Sequence, residues 1–372
     1  MNEIYIGLMS GTSLDGVDGV VADFGPHADH RPLHVLAHAS VPFDAAFRAE
    51  LLALNTPGDN ELHRAALAGN RLARCYATVV HQLLDRSGVP RASIRAIGAH
   101  GQTVRHQPHE YDGIGYTLQL LQPALLAELT GLAVAADFRS RDIAAGGHGA
   151  PLAPGFHRAL FATPGQDVAV LNVGGIANLT LLRPGQPTLG FDCGPGNALM
   201  DLWCAHHLGQ LYDDGGRWAA SGRAVDALLH SLMAEPWLSL PPPKSTGRDL
   251  FNEPWLQRHL GRIPAQPADV QATLCEFTAA SAAAHCREHA PDTRELVVCG
   301  GGAFNAHLMQ RLTARLPGVQ VVDSSQRGLP PLQVEAAAFA WLARQRVLGQ
   351  FGNLPSVTGA AGPRVLGGLH AA

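Results

Sequence analysis

Residues 168–182 read Val-Ala-Val-Leu-Asn-Val-Gly-Gly-Ile-Ala-Asn-Leu-Thr-Leu-Leu, two apolar runs joined by a glycine pair with Asn172 and Asn178 on either side. Short apolar runs around a tight polar turn predict strand, turn, strand. The plan recurs at the start of the chain, where the runs 4–9 and 17–24 flank Ser10-Gly11-Thr12-Ser13-Leu14-Asp15-Gly16. The sequence therefore holds two similar halves, each opening on a hairpin. A P-loop would place G-x-x-x-x-G-K-[ST] at the mouth of a helix, whereas the first turn has no lysine and leads into a strand. Walker-type nucleotide binding is set aside. Gly-rich turns flanked by hydroxyls and amides still expose backbone N–H groups that can cradle phosphate oxygens, and two such turns say more than one.

Outward from the second hairpin, Arg183-Pro-Gly-Gln turns into a third strand ending at Phe191-Asp192, followed by Cys193-Gly-Pro-Gly-Asn197 and a helix. In the first half, 44–54 and 61–87 carry helical periodicity, 94–99 reads as a buried strand ending at His100-Gly101-Gln102-Thr103, and a helix is expected near 122–131. Residues 241–254 are too rich in breakers for a regular element, and a long loop of that kind is commonly functional. Residues 267–288 are helical and Ala-rich, and 295–299 form a strand that runs into Gly300-Gly301-Gly302. Asn305 is a natural N-cap for the next helix. The dinucleotide fingerprint fails there, because its third glycine position is Asn305. A glycine patch that lets a flat ligand face approach the backbone leaves adenine or ribose contact open. Glu335 opens a small-residue helix able to pack closely against a neighbour, and the Gly/Pro-rich tail from about 350 is expected on the surface.

A chain of 372 residues with 46% apolar content can bury two cores, and two lobes would leave a cleft between them. The net charge of -4, from scattered acidic and basic residues, offers no basic stripe for a phosphate backbone, so nucleic acid is not expected as a partner. The first residues lack a basic and an apolar leader region, and no apolar run reaches the roughly 18–20 residues of a membrane span, so a cytoplasmic protein with no membrane association is expected. Six cysteines show neither C-x-x-C nor zinc-like spacing, which favours reduced, buried thiols. Nineteen histidines, several in a polar stretch at 27–38, do not form a metal pattern. Lys244 is the only lysine. In a chain that otherwise uses arginine, a lone ammonium points to a specific site, because the two cations are interchangeable only on solvated faces.

Carboxylates beside glycine turns at strand ends are candidates for metal binding or general base work, which singles out Asp15, Asp18 and Asp192. Asp15 could equally close an Asx-type turn, and Asp18 could be an exposed strand residue. Asp192 stands out because it ends an apolar strand ahead of a helix whose N-terminus attracts anions.

Seven blocks, taken in order, resemble the signature of the anhydro-N-acetylmuramic acid kinases. They are residues 9–16, 98–103, 137–151, 172–178, 191–197, 243–248 and 298–305, which span nearly the whole chain. The resemblance implies an α/β, two-lobed actin/hexokinase-like ATPase fold, with ribonuclease H-like mixed sheets flanked by helices and a central cleft. It suggests an N-terminal lobe of residues 1–135 and 340–372 and a C-terminal lobe of 136–339.

It further implies ATP and Mg2+, with Ser10, Gly11, Thr12, Ser13, Asp15, Gly16 and Asp18 on the first phosphate hairpin. Asn172, Gly174, Gly175 and Asn178 belong to the second, and Gly300, Gly301, Gly302 and Asn305 to the adenosine segment. Asp15 or Asp18 would meet Mg2+ through water. Asp192 corresponds to the family's base, and Glu335 could hold or polarise the water, or simply be a helix N-terminal acid. His100 and Gln102 would touch the sugar or stabilise a turn, while Arg139, Arg141 and Lys244 would meet the substrate carboxylate or phosphates or remain solvated. The expected reaction opens 1,6-anhydro-N-acetylmuramic acid with water and gives N-acetylmuramic acid 6-phosphate and ADP in peptidoglycan recycling, and homodimers are usual in the family. The alternative is a kinase of the same superfamily acting on an ordinary hydroxyl.

Overall fold

The computed structural model describes residues 3–11, 13–247 and 249–372, so Thr12, expected on the first phosphate hairpin, lies outside the described residues. The chain divides into two compact units, Met1–Leu160 with Gln333–Ala372, and Phe161–Leu332.

In the first unit, β1 (Ile4–Met9), β2 (Gly16–Asp23) and β3 (His34–Pro42) form an antiparallel meander. Beyond the helix Glu61–Ser87, β4 (Ile94–Ala99) pairs parallel with β1. A separate ribbon, β5 (Gln102–Pro108) with β6 (Gly115–Leu120), follows, and β7 (Val134–Ala136) pairs parallel with β4. The sheet order is therefore β7-β4-β1-β2-β3. In the second unit, β8 (Val168–Val173), β9 (Ile176–Leu182) and β10 (Leu189–Pro195) repeat the meander, and β11 (Glu295–Cys299) and β12 (Gln320–Asp323) extend it in parallel. Its order, β10-β9-β8-β11-β12, matches that of the first unit strand for strand. Each unit is thus a ribonuclease H-like mixed sheet, and the duplication is that of the actin/hexokinase-like ATPase fold.

The central strands β1 and β8 are buried along most of their length, as expected where parallel pairing is flanked by crossover helices. Ile6, Leu8, Val21, Leu72 and Ile97 are core residues of the first unit, and Leu171, Phe191, Leu274, Phe277 and Val298 of the second. Each such side chain contributes about 1.5–3 kcal/mol on full burial. The Pro267–His289 helix is buried on nearly every face, which is why it reads as Ala-rich rather than amphipathic.

The boundaries differ from those expected. Residues 136–160 and 333–339 belong with the first unit, and this moves Glu335 out of the C-terminal lobe. The reason is close packing. A Cβ on Gly7 of β1 would run into the backbone of Ala336, and one on Gly98 of β4 into that of Phe339, so the Val334–Val347 helix lies directly on this sheet. The tail also departs from expectation. Leu366, Val357 and Thr358 are buried, and β13 (Gly368–His370) adds an antiparallel strand beside β7.

Candidate active site

In the first unit, the turn after β1 is held from beneath. The Ser10 hydroxyl donates to Gly101 O and accepts from the Tyr76 hydroxyl, each at 2.9 Å, and Tyr76 accepts the Gly101 N–H at 3.1 Å. Burial pushes the Tyr76 phenol up, so it stays protonated and able to donate. Ser10 therefore acts on this turn from inside. His100 donates from Nδ1 to Ser10 O at 3.2 Å and receives the Arg139 guanidinium at Nε2, 2.9 Å away. Burial first, then Arg139, lowers its pKa to about 3, so the imidazole is neutral and its tautomer is set by these two partners. Gln102 is fully buried and donates to Gly11 O at 3.1 Å, while its Oε1 has no partner among the described residues. Of the two readings of His100 and Gln102, sugar contact or turn support, these bonds are of the second kind.

Ser13 and Asp15 are exposed, and Asp15 pairs with Arg48 at 2.6 Å. Gly16 is demanded by β3, whose Val41 carbonyl occupies the space of a Cβ. Asp18 is half-exposed on β2, with His38 Nε2 3.5 Å away. Glu335 is solvent-accessible yet ringed by protein, and desolvation, then the Asp18 charge, raise its carboxyl against the pull of Arg139. Arg139 also donates to Gly149 O at 2.8 Å, and burial lowers it to about 10. It remains a cation, with an N–H on each terminal nitrogen still open among the described residues.

In the second unit, register does the assembling. Cys299 pairs with Asn172, Asn172 with Asn178, and Asn178 with Asp192, so these four side chains form one row across β11, β8, β9 and β10. Directly opposed residues in a sheet share a face. The expected second phosphate hairpin and the base thus lie on one line. Gly174 and Gly175 accept backbone bonds from Asn197 (2.7 Å) and from Gly196 (2.9 Å) and Ala198 (3.2 Å). These bonds tie the glycine turn to the start of the Ala198–Leu208 helix, of whose own amides they engage that of Ala198. Gly300, at φ +78, lies where a Cβ would strike Asn172 and Val173, Gly302 packs on Val173, and Gly301 nears Asn197. Asn305 caps its helix through Leu308 N at 2.9 Å, as expected.

Asp192 sits at a register shift in β10. Its Oδ2 accepts the Thr246 N–H at 2.9 Å, and its own N–H donates to Lys244 O at 3.1 Å. Burial raises its pKa to about 6, opposed by the Thr246 bond and Lys244. A carboxylate poised near neutral pH is suited to general base work. Lys244, expected at the substrate or ATP, directs its ammonium inward, to Leu238 O at 2.7 Å and His285 Nε2 at 2.8 Å. Tyr76 and His285 escaped sequence reading, because a phenol on a helix and a core histidine carry no motif. Thr246 lies within the 243–248 block, but a backbone donor there is not visible from the sequence.

The sequence matches the family model for anhydro-N-acetylmuramic acid kinase over residues 3–372. The anhydro-N-acetylmuramic acid kinase of Variovorax paradoxus (strain S110) is 64% identical, covering 100% of this chain and 99% of its own. That of Albidiferax ferrireducens (strain ATCC BAA-621 / DSM 15236 / T118) is 56% identical, with 100% of both chains covered. Among solved structures, the activator of the 2-hydroxyisocaproyl-CoA dehydratase from Clostridium difficile aligns at a TM-score of 0.48 and 14% identity, over 93% of this chain and 96% of that one. The chain belongs to the anhydro-N-acetylmuramic acid kinase family and is an ATP-using kinase.

Proposed function

We propose that the enzyme opens and phosphorylates 1,6-anhydro-N-acetylmuramic acid with Asp192 as general base. The substrate has no free 6-hydroxyl, since that oxygen is tied to the anomeric carbon. Asp192 takes one proton from water as the water oxygen bonds to C1. The C1–O6 bond breaks, and O6 bonds to the γ-phosphorus as the bond to ADP breaks. The second water proton stays on the new C1 hydroxyl, so the products are N-acetylmuramic acid 6-phosphate and ADP, in peptidoglycan recycling. Phosphoryl capture of O6 replaces the general acid a glycosidase would need.

The observation that carries this reading is the state of Asp192. Its carboxyl is raised to about 6 by burial, with Oδ2 held by Thr246 and Oδ1 left without a hydrogen bond among the described residues. Glu335, its carboxyl raised by desolvation and the Asp18 charge, holds or polarises the attacking water. Arg139, with its open N–H groups, suits the lactyl carboxylate, and His100 and Gln102 support the first phosphate turn behind it. The Gly-rich turns at Gly11, at Gly174 and Gly175, and at 300–302 offer their backbones to ATP.

Asp18 fits Mg2+ better than Asp15, which Arg48 engages; the like charge Asp18 places on Glu335 is one that a divalent cation would relieve. Bound through water, the ion would offset phosphate charge. The reading extends to a cytoplasmic homodimer, supported by the family resemblance, and no helix among the described residues is long and apolar enough to cross a membrane. The test is turnover in H2¹⁸O. Label at C1 of the product is expected, and an unlabelled product would mean transfer to an ordinary hydroxyl.

A further inference from the structure

The only lysine of the chain turns its ammonium into the protein. Its ammonium donates to Leu238 O at 2.7 Å and to His285 Nε2 at 2.8 Å, reaches Trp237 O at 3.4 Å, and lies 4.6 Å from the Trp237 ring centroid. An ammonium has three N–H donors. All three are therefore directed into the protein.

His285 is buried on the Pro267–His289 helix and donates from Nδ1 to Ser281 O, one turn back, at 2.8 Å. A neutral imidazole has one donor and one acceptor, so that bond leaves Nε2 as the acceptor for Lys244. Burial lowers the pKa of His285 and, with Lys244 beside it, keeps the ring neutral. Nε2 also lies 3.0 Å from Leu238 O, the carbonyl that the ammonium shares, and with the proton on Nδ1 that approach is no hydrogen bond. A planar guanidinium would not meet this compact set of acceptors as a point-like ammonium does. The main chain of the same residues faces the other way. Lys244 O takes the Asp192 N–H, Thr246 N–H holds Asp192 Oδ2, and Trp237 Nε1 donates to Ser245 O at 3.1 Å.

We propose that Lys244 and His285 form a clamp that fixes residues 244–246 against Asp192, which makes both of them positioning residues for the reaction. This rests on Asp192 as the base. Within this unit the groups around the clamp and the base are Cys193 on β10, His285, Cys286, Glu288 and His289 on the helix, and Lys244 itself.

The test measures kcat, the KM for ATP and for the sugar, and the acid limb of the kcat/KM profile in K244M, H285L and H285Q. Loss of the clamp loosens the Thr246 bond, so K244M and H285L should lose at least roughly tenfold in kcat with the ATP KM within about threefold, and their acid limbs should move to higher pH. H285L keeps the lysine charge and so separates positioning from Coulombic attraction. H285Q, whose Oε1 can accept from the ammonium, should stay within about threefold of wild type. A phosphate ligand at Lys244 would instead show as a raised ATP KM in K244M with kcat and acid limb unchanged, and that result overturns the clamp. So does an H285L enzyme with wild-type kcat and pH profile. Should H285L not fold, H285N, too short to reach Lys244, carries the same two outcomes. D192N serves as the separate check: if it keeps full activity the base assignment falls, whereas an inactive D192N with unaffected H285L removes the clamp alone.

Discussion

Thr246 gives its backbone N–H to Oδ2 of Asp192 at 2.9 Å, and this bond works against the burial that lifts the carboxyl to about 6. A base acts only when ionised. Because the pKa is raised, activity should be full above it and fall with a slope of one as pH drops through about 6. D192N should lose about 10²–10⁴-fold in kcat with little change in either KM, since the lost interaction belongs to the transition state. T246A keeps the N–H and should leave the acid limb in place, whereas T246P removes the donor and should move the limb upward. A limb that stays near 6 in T246P would show that the bond does not tune the base. Steady-state rates from pH 5 to 8 decide between them.

Arg139 bridges His100 Nε2 and Gly149 O with three of its five N–H groups. A lysine cannot span both, so R139K should raise the sugar KM by roughly tenfold and leave the ATP KM within about twofold, the signature of lost substrate binding. His100, lowered to about 3, stays neutral across the assay range and should add no limb of its own between pH 5 and 8. An equal rise in both KM values in R139K would assign the guanidinium to the fold instead.

The hairpins were readable because their signal is local: apolar alternation broken by Ser10-Gly11 or Gly174-Gly175 needs no distant partner. Candidate positions on those turns were equally plain. What each side chain does there was not, since Ser10 is turned inward by Tyr76, 66 residues away, and Gln102 by Gly11, 91 residues away. Unit boundaries failed for the same reason. Gly7 and Gly98 look like ordinary strand glycines until the Val334–Val347 helix is laid on them. A Gly/Pro-rich tail reads as surface by composition, but burial of Leu366 and the bonds of Asn353 and Thr358 to Asp142 are tertiary facts.

Asp142 is fully buried and accepts from Asn353 Nδ2 at 2.6 Å, Thr358 Oγ1 at 2.8 Å and Gly149 N at 2.8 Å. It thereby ties the tail to the segment that carries Arg139. D142A removes the acceptor that these three buried donors share and leaves Asn353 Nδ2 and Thr358 Oγ1 only the long bonds to Gly362 O and Leu354 O, each at 3.4 Å, which should cost about 3 kcal/mol, or roughly 6–12 °C in the melting temperature of a unit this size. Because Gly149 O also holds Arg139, the sugar KM should rise in the protein that still folds. A thermal scan that shows no loss would mean that water replaces the carboxylate.

Gly216 and Gly215 are adjacent, both at positive φ (72 and 67), yet they meet different surroundings. A Cβ on Gly215 would find only Arg217 Cγ, 4.0 Å away, while one on Gly216 would strike Asn305 Oδ1 and lie 2.8 Å from His307 Cβ. G215A should therefore show backbone strain alone, roughly 1 kcal/mol. G216A adds displacement of the Asn305 cap from Leu308 N, a loss of about 1 kcal/mol more, and shifts the segment expected to meet adenosine. The difference between the two variants isolates the contact from the strain they share. Melting temperatures should fall further in G216A, and its ATP KM should rise severalfold while that of G215A holds. Equal ATP KM values in the two proteins would mean that Asn305 supports its helix and nothing of the nucleotide site.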